Sequence, residues 1–211
     1  EMNMDLEITP DAKMQIIFDE RMGDILKGTG RGDIQMKIDK YSNISMFGDY
    51  NIEDGDYLFT LQNVINKRFV IESGSQLKWD GDPFNAVIDI TAIYKLRTNL
   101  YDLMGASANE YESDLTKRVP VNCNLYLTDR LSRPSIRFGI ETPTLEQSQS
   151  ALLKEYIHTE EEMNRQVLSL LILNRFYSPE TQRVSEQSAD RGGANPAVVT
   201  TTEMLSNQFS N

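Results

Sequence analysis

The chain has 211 residues, 39% of them apolar, and a net charge of −11. That length suffices for a sizeable core, and so acidic a chain repels phosphate backbones and anionic lipid surfaces, which argues against nucleic acid as a partner. One cysteine, Cys123, leaves no intrachain disulfide to form; no run reaches the roughly 18 apolar residues of a membrane span, and no signal peptide opens the chain.

Met2 to Thr9 alternates cleanly, with Met2, Met4, Leu6 and Ile8 on one side. Pro10-Asp11 signals a turn, and residues 12–19 form a second strand with Met14, Ile16 and Phe18 inward. The two read as a hairpin leading into a meander. Gly28, Gly30 and Gly32 then fall on one face of a strand entry. A phosphate loop needs a following helix and a Lys-Ser/Thr closure, and neither is present. The spacing reads instead as a flat or bent strand stripped of side chains on one face.

Six short alternating runs follow, between glycine-bearing turns. They place Ile34, Met36 and Ile38 on one face, then Ile44, Met46, Tyr50 and Ile52, then Tyr57, Phe59 and Leu61. Phe69 and Ile71, Leu77 and Trp79, and Ile88, Ile90, Ala92 and Tyr94 continue it. The stretch WDGDPF, Trp79 to Phe84, reads as a tight turn built on Asp80-Gly81. Asp80 and Asp82 lack the further oxygen ligands of a calcium loop.

Residues 96–118 break the period, with a helical turn or two near NLYDLM and a loop after it. The period of two resumes over 119–128, with Val121, Cys123, Leu125 and Leu127 on one face, and over 135–141, with Ile136, Phe138 and Ile140 inward. Cys123 on such a face reads as a buried structural thiol. Residues 145–156 are weakly helical. Thr159 and Glu162 then form a capping box, and three carboxylates in the first turn suit the helix dipole. This helix is expected to run to about Tyr177. Val167 to Leu173 is apolar nearly all round, so it must be covered on more than one side. Met163, Val167, Leu170, Leu171 and Phe176 are its candidates for closing one end of the apolar face. Residues 178–202 read as a flexible linker and 202–209 as the start of a further helix. The domain division is thus 1–177, a β domain with a capping helix over about 159–177, and 178–211, a linker and a truncated further segment. Opening on Glu1 and stopping at Asn211, the chain reads as a piece of something longer.

Nothing in the chain points to catalysis. His158 is the only histidine, so no zinc cluster can be assembled around it. No nucleophile and base stand together, and the aspartates fall in turns and on wet strand faces. No enzyme, cofactor or metal is expected. What remains is the apolar face itself: Ile34, Met36, Ile38, Met46, Tyr50, Phe59, Leu61, Phe69, Ile71, Leu77, Ile88, Ile90, Leu125 and Phe138. An antiparallel sheet must cover such a face. Either the face is ordinary core, or it is a groove for an apolar ligand with no buried charge in it.

Three stretches carry a family resemblance. GDYNIEDGDYLFTLQNVINKRFVIESGSQLKWDGDPFNAVIDITAIY (48–94) repeats glycine-led aromatic strands and a DP-x-N turn. LTDRLSRPSIRFGIETP (127–143) gives strand, turn, Arg-Pro and strand, and MNRQVLSLLILNRFY (163–177) the following helix. In this order they resemble the C-terminal domain of the TamB family, the translocation and assembly module proteins of Gram-negative bacteria, over residues 23–177. The resemblance implies a mainly all-β fold: a curved antiparallel sheet forming an open, taco-like groove or partial barrel, with one C-terminal helix and a flexible tail. It implies a periplasmic, non-enzymatic protein attached to the inner membrane by an N-terminal anchor outside this stretch. It also implies phospholipid acyl chains as cargo, and as partner the outer-membrane barrel protein TamA or a relative, met through POTRA domains. The implied role is phospholipid movement between the membranes, assistance to outer-membrane protein assembly, or both. An interaction module whose sheet edge binds a partner strand, with the apolar face as core alone, is the alternative.

Overall fold

A computed structural model describes residues 2–19, 24–61, 65–104, 116–145 and 147–178. Most of the expected loop after Met104, and the linker and further helix expected beyond Ser178, lie outside the described residues. The strands are β1 (Met2–Ile8), β2 (Lys13–Asp19), β3 (Asp24–Ile38), β4 (Ile44–Leu61), β5 (Ile65–Ile71), β6 (Ser75–Gly81), β7 (Val87–Thr98), β8 (Val119–Arg130) and β9 (Arg133–Glu141). The helices are α1 (Tyr101–Met104), α2 (Gln147–Tyr156) and α3 (Glu160–Leu173). Among the described residues the fold is mainly β, 61% strand, in one antiparallel sheet of nine strands. Its order is β1-β3-β4-β5-β7-β8-β9, with β2 on β3 and β6 on β4 and β7. β1 and β9 end the sheet without pairing to each other, so it is not a closed barrel. Two compact units divide the chain: Glu1–Tyr94 with Asn124–Gly139, and Lys95–Cys123 with Ile140–Asn211.

In the first unit the sequence period survives, but its punctuation differs from expectation. β1 and β2 are not a hairpin. They lie end to end along one edge of β3, Ile8 paired with Gly32 and Lys13 with Thr29. The turn closed by the Ala12 N–H on the Thr9 carbonyl, 3.0 Å, offsets the chain without reversing it, and β3, at 15 residues, is long enough to take both. The runs ending at Ile52 and starting at Gly55 are likewise one strand, β4, of 18 residues. Gly30 pairs with Ile52 and Thr29 with Asp54, so Glu53 is an extra, bulged residue. The bulge resets parity: even residues face inward up to Ile52 and odd ones from Gly55 onward. β5 and β6 in turn lie end to end on the other edge of β4. Between them Gly74 takes φ 96°. The buried Ser75 hydroxyl accepts the Thr91 N–H at 3.1 Å where the ladder is interrupted.

These breaks line up into a crease across the sheet, and glycines permit it. A Cβ on Gly30 would stand 2.0 Å from the Asn51 carbonyl oxygen, and one on Gly32 2.3 Å from that of Asp49. No side chain fits so close a backbone approach. The expected strand bare of side chains on one face is what β3 supplies over Gly28, Gly30 and Gly32. The sheet of this unit also rolls with its apolar face inward. Phe59 on β4 and Phe138 on β9 stand edge to face, their ring centres 5.7 Å apart. Four strand steps part them along the sheet order, which in a flat sheet would be about 19 Å.

The turns are specified locally. In 39–43 the Asp39 carboxylate accepts the Tyr41 N–H at 2.7 Å and the Asn43 N–H at 2.9 Å. The turn after β6 is centred on Pro83-Phe84, three residues later than Asp80-Gly81. Asp82 is its first residue, Pro83 its second, and the Asn85 N–H closes it on the Asp82 carbonyl at 3.1 Å. Proline at that position fixes φ for this turn, so β6 continues through Gly81. The Trp79 indole N–H donates to the Pro83 carbonyl at 3.0 Å. Arg130 Nη1 and Nη2 clasp the Asp80 carboxylate at 2.8 and 3.0 Å.

The second unit buries Leu100, Leu103, Val121, Cys123 and Leu153 together with the run Gln166–Leu171 of α3. The capping box is present in both directions. α3 stops at Leu173, short of the expected Tyr177. Asn174 takes the left-handed conformation, φ 55°, and its N–H returns to the Leu170 carbonyl. The chain then folds back: Gln166 receives the Tyr177 N–H at 2.8 Å and donates to the Tyr177 carbonyl at 3.0 Å.

Candidate functional site: the inward face of the sheet

Antiparallel register decides which side chains share a face. Met4, Met36 and Met46 form one cross-strand row, ending at Gly81. The next row is Leu6, Ile34, Gly48 and Trp79, and the next joins Gly32, Tyr50, Leu77 and Ile88. Across the crease Leu26, Tyr57 and Phe69 line up, and Ile71 meets Ala92. Ile34, Tyr50, Phe59, Phe69, Ile71, Leu77, Ile88, Ile90 and Leu125 are buried. Met36, Ile38, Met46, Leu61 and Phe138 are only half-buried. The middle of the face is therefore closed, and its two ends are partly open. Beyond the methionine row Met2 and Ile44 are 49% and 47% exposed. Of the helix candidates, Val167, Leu170, Leu171 and Phe176 are buried and Met163 half-buried.

Charge is present on this face, contrary to expectation. Asp24, 8% exposed, is in phase with Leu26 and accepts from the Tyr57 hydroxyl at 2.8 Å and the Thr60 N–H at 2.7 Å. Burial first, and then this carboxylate, pushes the Tyr57 hydroxyl well above the usual phenol range. Lys67 is in phase with Ile65, Phe69 and Ile71 and lies opposite Phe59. Its ammonium is 5.4 Å from the Tyr94 ring centre and donates to the Tyr94 hydroxyl at 3.4 Å. Parity alone would have found Lys67, which belongs to the inward series of its own strand. In the closed middle, the Tyr50 hydroxyl is buried and has no hydrogen-bond partner.

The cysteine and the histidine belong to the second unit. Cys123 is fully buried, and burial pushes its thiol up to about 12, so it is no nucleophile at neutral pH. His158 is exposed, and its backbone N–H donates to Glu162 at 2.7 Å. Among the described residues no group of three or more His, Cys, Asp or Glu is placed to hold a metal, and no helix is long and apolar enough to cross a membrane.

The family model described as TamB C-terminal domain matches residues 1–211. No curated protein matches the chain, and no solved structure does. TamB proteins are non-enzymatic, envelope-associated components of a translocation and assembly system that works with a partner in outer-membrane assembly. The glycine-creased sheet, its inward apolar face and the capped helix after it thus come from a chain that belongs to the TamB C-terminal domain family.

Proposed function

We propose that the inward face holds phospholipid acyl chains and that this domain helps move them between the inner and outer membranes from the periplasm. The observation that carries the reading is the half-open methionine row, Met4, Met36 and Met46, continuous with the buried aliphatic rows behind it. Methionine is unbranched and polarisable and adapts to ligands of variable shape, and a mostly apolar concave lining is what a hydrocarbon ligand needs. Met36, Ile38, Met46 and Leu61 are the first residues we assign to contact, with Ile34, Phe59, Ile71, Ile88 and Ile90 behind them. The test is organic extraction of purified protein followed by mass spectrometry. Co-purified phospholipid, depleted when Met36 and Met46 are both changed to Asp, supports the reading; protein free of lipid contradicts it.

One observation favours a second role. β1 and β9 are each paired on one side only among the described residues, and a free edge is a template for another strand. Such an edge would suit the assembly function, with a barrel protein of the TamA kind as partner through its POTRA domains. Pro134 and the exposed Arg133 and Arg137 blunt the β9 edge, which leaves β1 the better template. Glu7→Pro, at an exposed outward position of β1, should abolish partner capture on this reading and leave lipid content unchanged.

A further inference from the structure

Among the described residues, the charged group on the inward face that lacks a countercharge is Lys67. Its neighbour Arg68 points to the other face and pairs with Asp56 at 2.8 Å. Asp24, the carboxylate on the inward face, is occupied by the Tyr57 hydroxyl and the Thr60 N–H. Lys67 has only the Tyr94 phenol, at a long 3.4 Å, and the face of that ring. Around it the surface is aromatic. Tyr94 touches Phe69, Phe69 touches Phe59, and Phe59 touches Phe138, with ring centres 5.7, 6.1 and 5.7 Å apart. An ammonium drawn from water onto an apolar surface loses hydration that a phenol and a ring face only partly replace. It is poised for an anion that arrives attached to something apolar.

The position fits that task. Lys67, Tyr94, Leu61 and Phe138 are half-buried, whereas Phe59, Phe69, Ile71 and Ile90 are buried. The ammonium thus stands at the rim of the face, where a head group remains near water while its chain lies on the aromatics. We propose that Lys67, steadied by Tyr94, seats the anionic head group of an amphiphile, a carboxylate or a phosphate, whose hydrocarbon chain occupies the inward face. This rests on the acyl-chain reading above and adds a polarity to it: the chain enters with its head at the β4–β5 end.

The experiment is displacement of an uncharged fluorescent probe, a dansyl-labelled fatty alcohol, from the purified chain by oleate or by methyl oleate, each below its micelle concentration. Oleate should displace about tenfold better than its ester, the worth of one charge-assisted contact. Lys67→Met should erase that preference while leaving the ester's displacement unchanged, and Lys67→Arg should keep it. Phosphatidylglycerol against diacylglycerol repeats the comparison for a phosphate head. Circular dichroism confirms the fold of each variant, with Lys67→Gln as the substitute should the methionine variant not fold. Equal displacement by oleate and its ester in the unaltered chain, or a preference that survives Lys67→Met, overturns the head-group seat and leaves the acyl-chain reading standing. Failure of the dye to bind, or of both lipids to displace it, overturns the acyl-chain reading and this inference with it.

Discussion

The two halves of the first unit's sheet, either side of the crease, use the same alternation to different ends. Around β2, β5 and the neighbouring parts of β3 and β4 the inward face is aromatic. Phe18 meets Tyr57 and Phe59 meets Phe69 edge to face, with ring centres 5.6 and 6.1 Å apart, and the face's two charged side chains lie here. Around β1, β6 and the remaining parts of β3 and β4 it is mainly aliphatic, with Tyr50 and Trp79 buried in its inner rows, and its last rows are half-open methionines and exposed Met2 and Ile44. Edge-to-face aromatic pairs reward one geometry, while thioether chains tolerate many. The comparison teaches that one period of two can build a fixed core at one end of a strand and an adaptable surface at the other.

The sharpest way to break this comparison is to delete a side chain from each half. Phe69→Ala, at a fully buried site, should cost roughly 3–5 kcal/mol in chemical denaturation, whereas Met36→Ala, at a half-buried site, should cost about 1–2 kcal/mol, below the range of a fully buried methionine. Equal losses would mean that the methionine row is packed as tightly as the aromatic core. The crease between the halves comes next: Gly30→Ala drives a Cβ against the Asn51 carbonyl and should cost about 3 kcal/mol. Tyr50→Phe should act in the opposite direction. It removes a buried hydroxyl with no partner and should raise stability by about 1 kcal/mol.

Acid distinguishes the halves more gently. Asp80 is held below the usual carboxylate range mainly by its hydrogen bond from Arg130, and Asp39 by the Asn43 side chain and N–H. Both serve the methionine half. A depressed carboxyl contributes stability that is complete above its unfolded pKa and is lost as pH falls through the folded value. Lowering pH below the usual carboxylate range should therefore lower the amide protection factors, exchange relative to the free-chain rate at the same pH, at the 39–43 turn and around Asp80. Asp80→Asn should flatten that response at its own site and leave the turn's response intact.

Much of this was legible in the sequence because period two needs no knowledge of partners. The inward residues of β3 to β7 follow from it, as does the capping box at Thr159. What it hid are events that depend on neighbouring strands. Glu53 is bulged only relative to Thr29 and Gly30, so β4 looked like two strands. β1 and β2 looked like a hairpin because Pro10-Asp11 reads as a reversal, and only the length of β3 shows that it is an offset. The helix seemed to reach Tyr177 because Phe176 keeps the apolar spacing, although Asn174 had already ended it. Alternation also cannot distinguish a buried row from a half-open one. Leu77 and Met46 have the same phase, and only the structure separates core from surface.

The central claim, that the inward face meets lipid, is tested most directly at two adjacent residues that point opposite ways. Met46 is half-buried on the inward face, and Phe47 is 37% exposed on the outward one. A photo-crosslinking amino acid is placed at each position in turn, in cells, and the adducts are read by mass spectrometry. The account predicts phospholipid adducts from position 46 and few or none from 47. Adducts at 47 equal to or above those at 46, or none at 46, would contradict it.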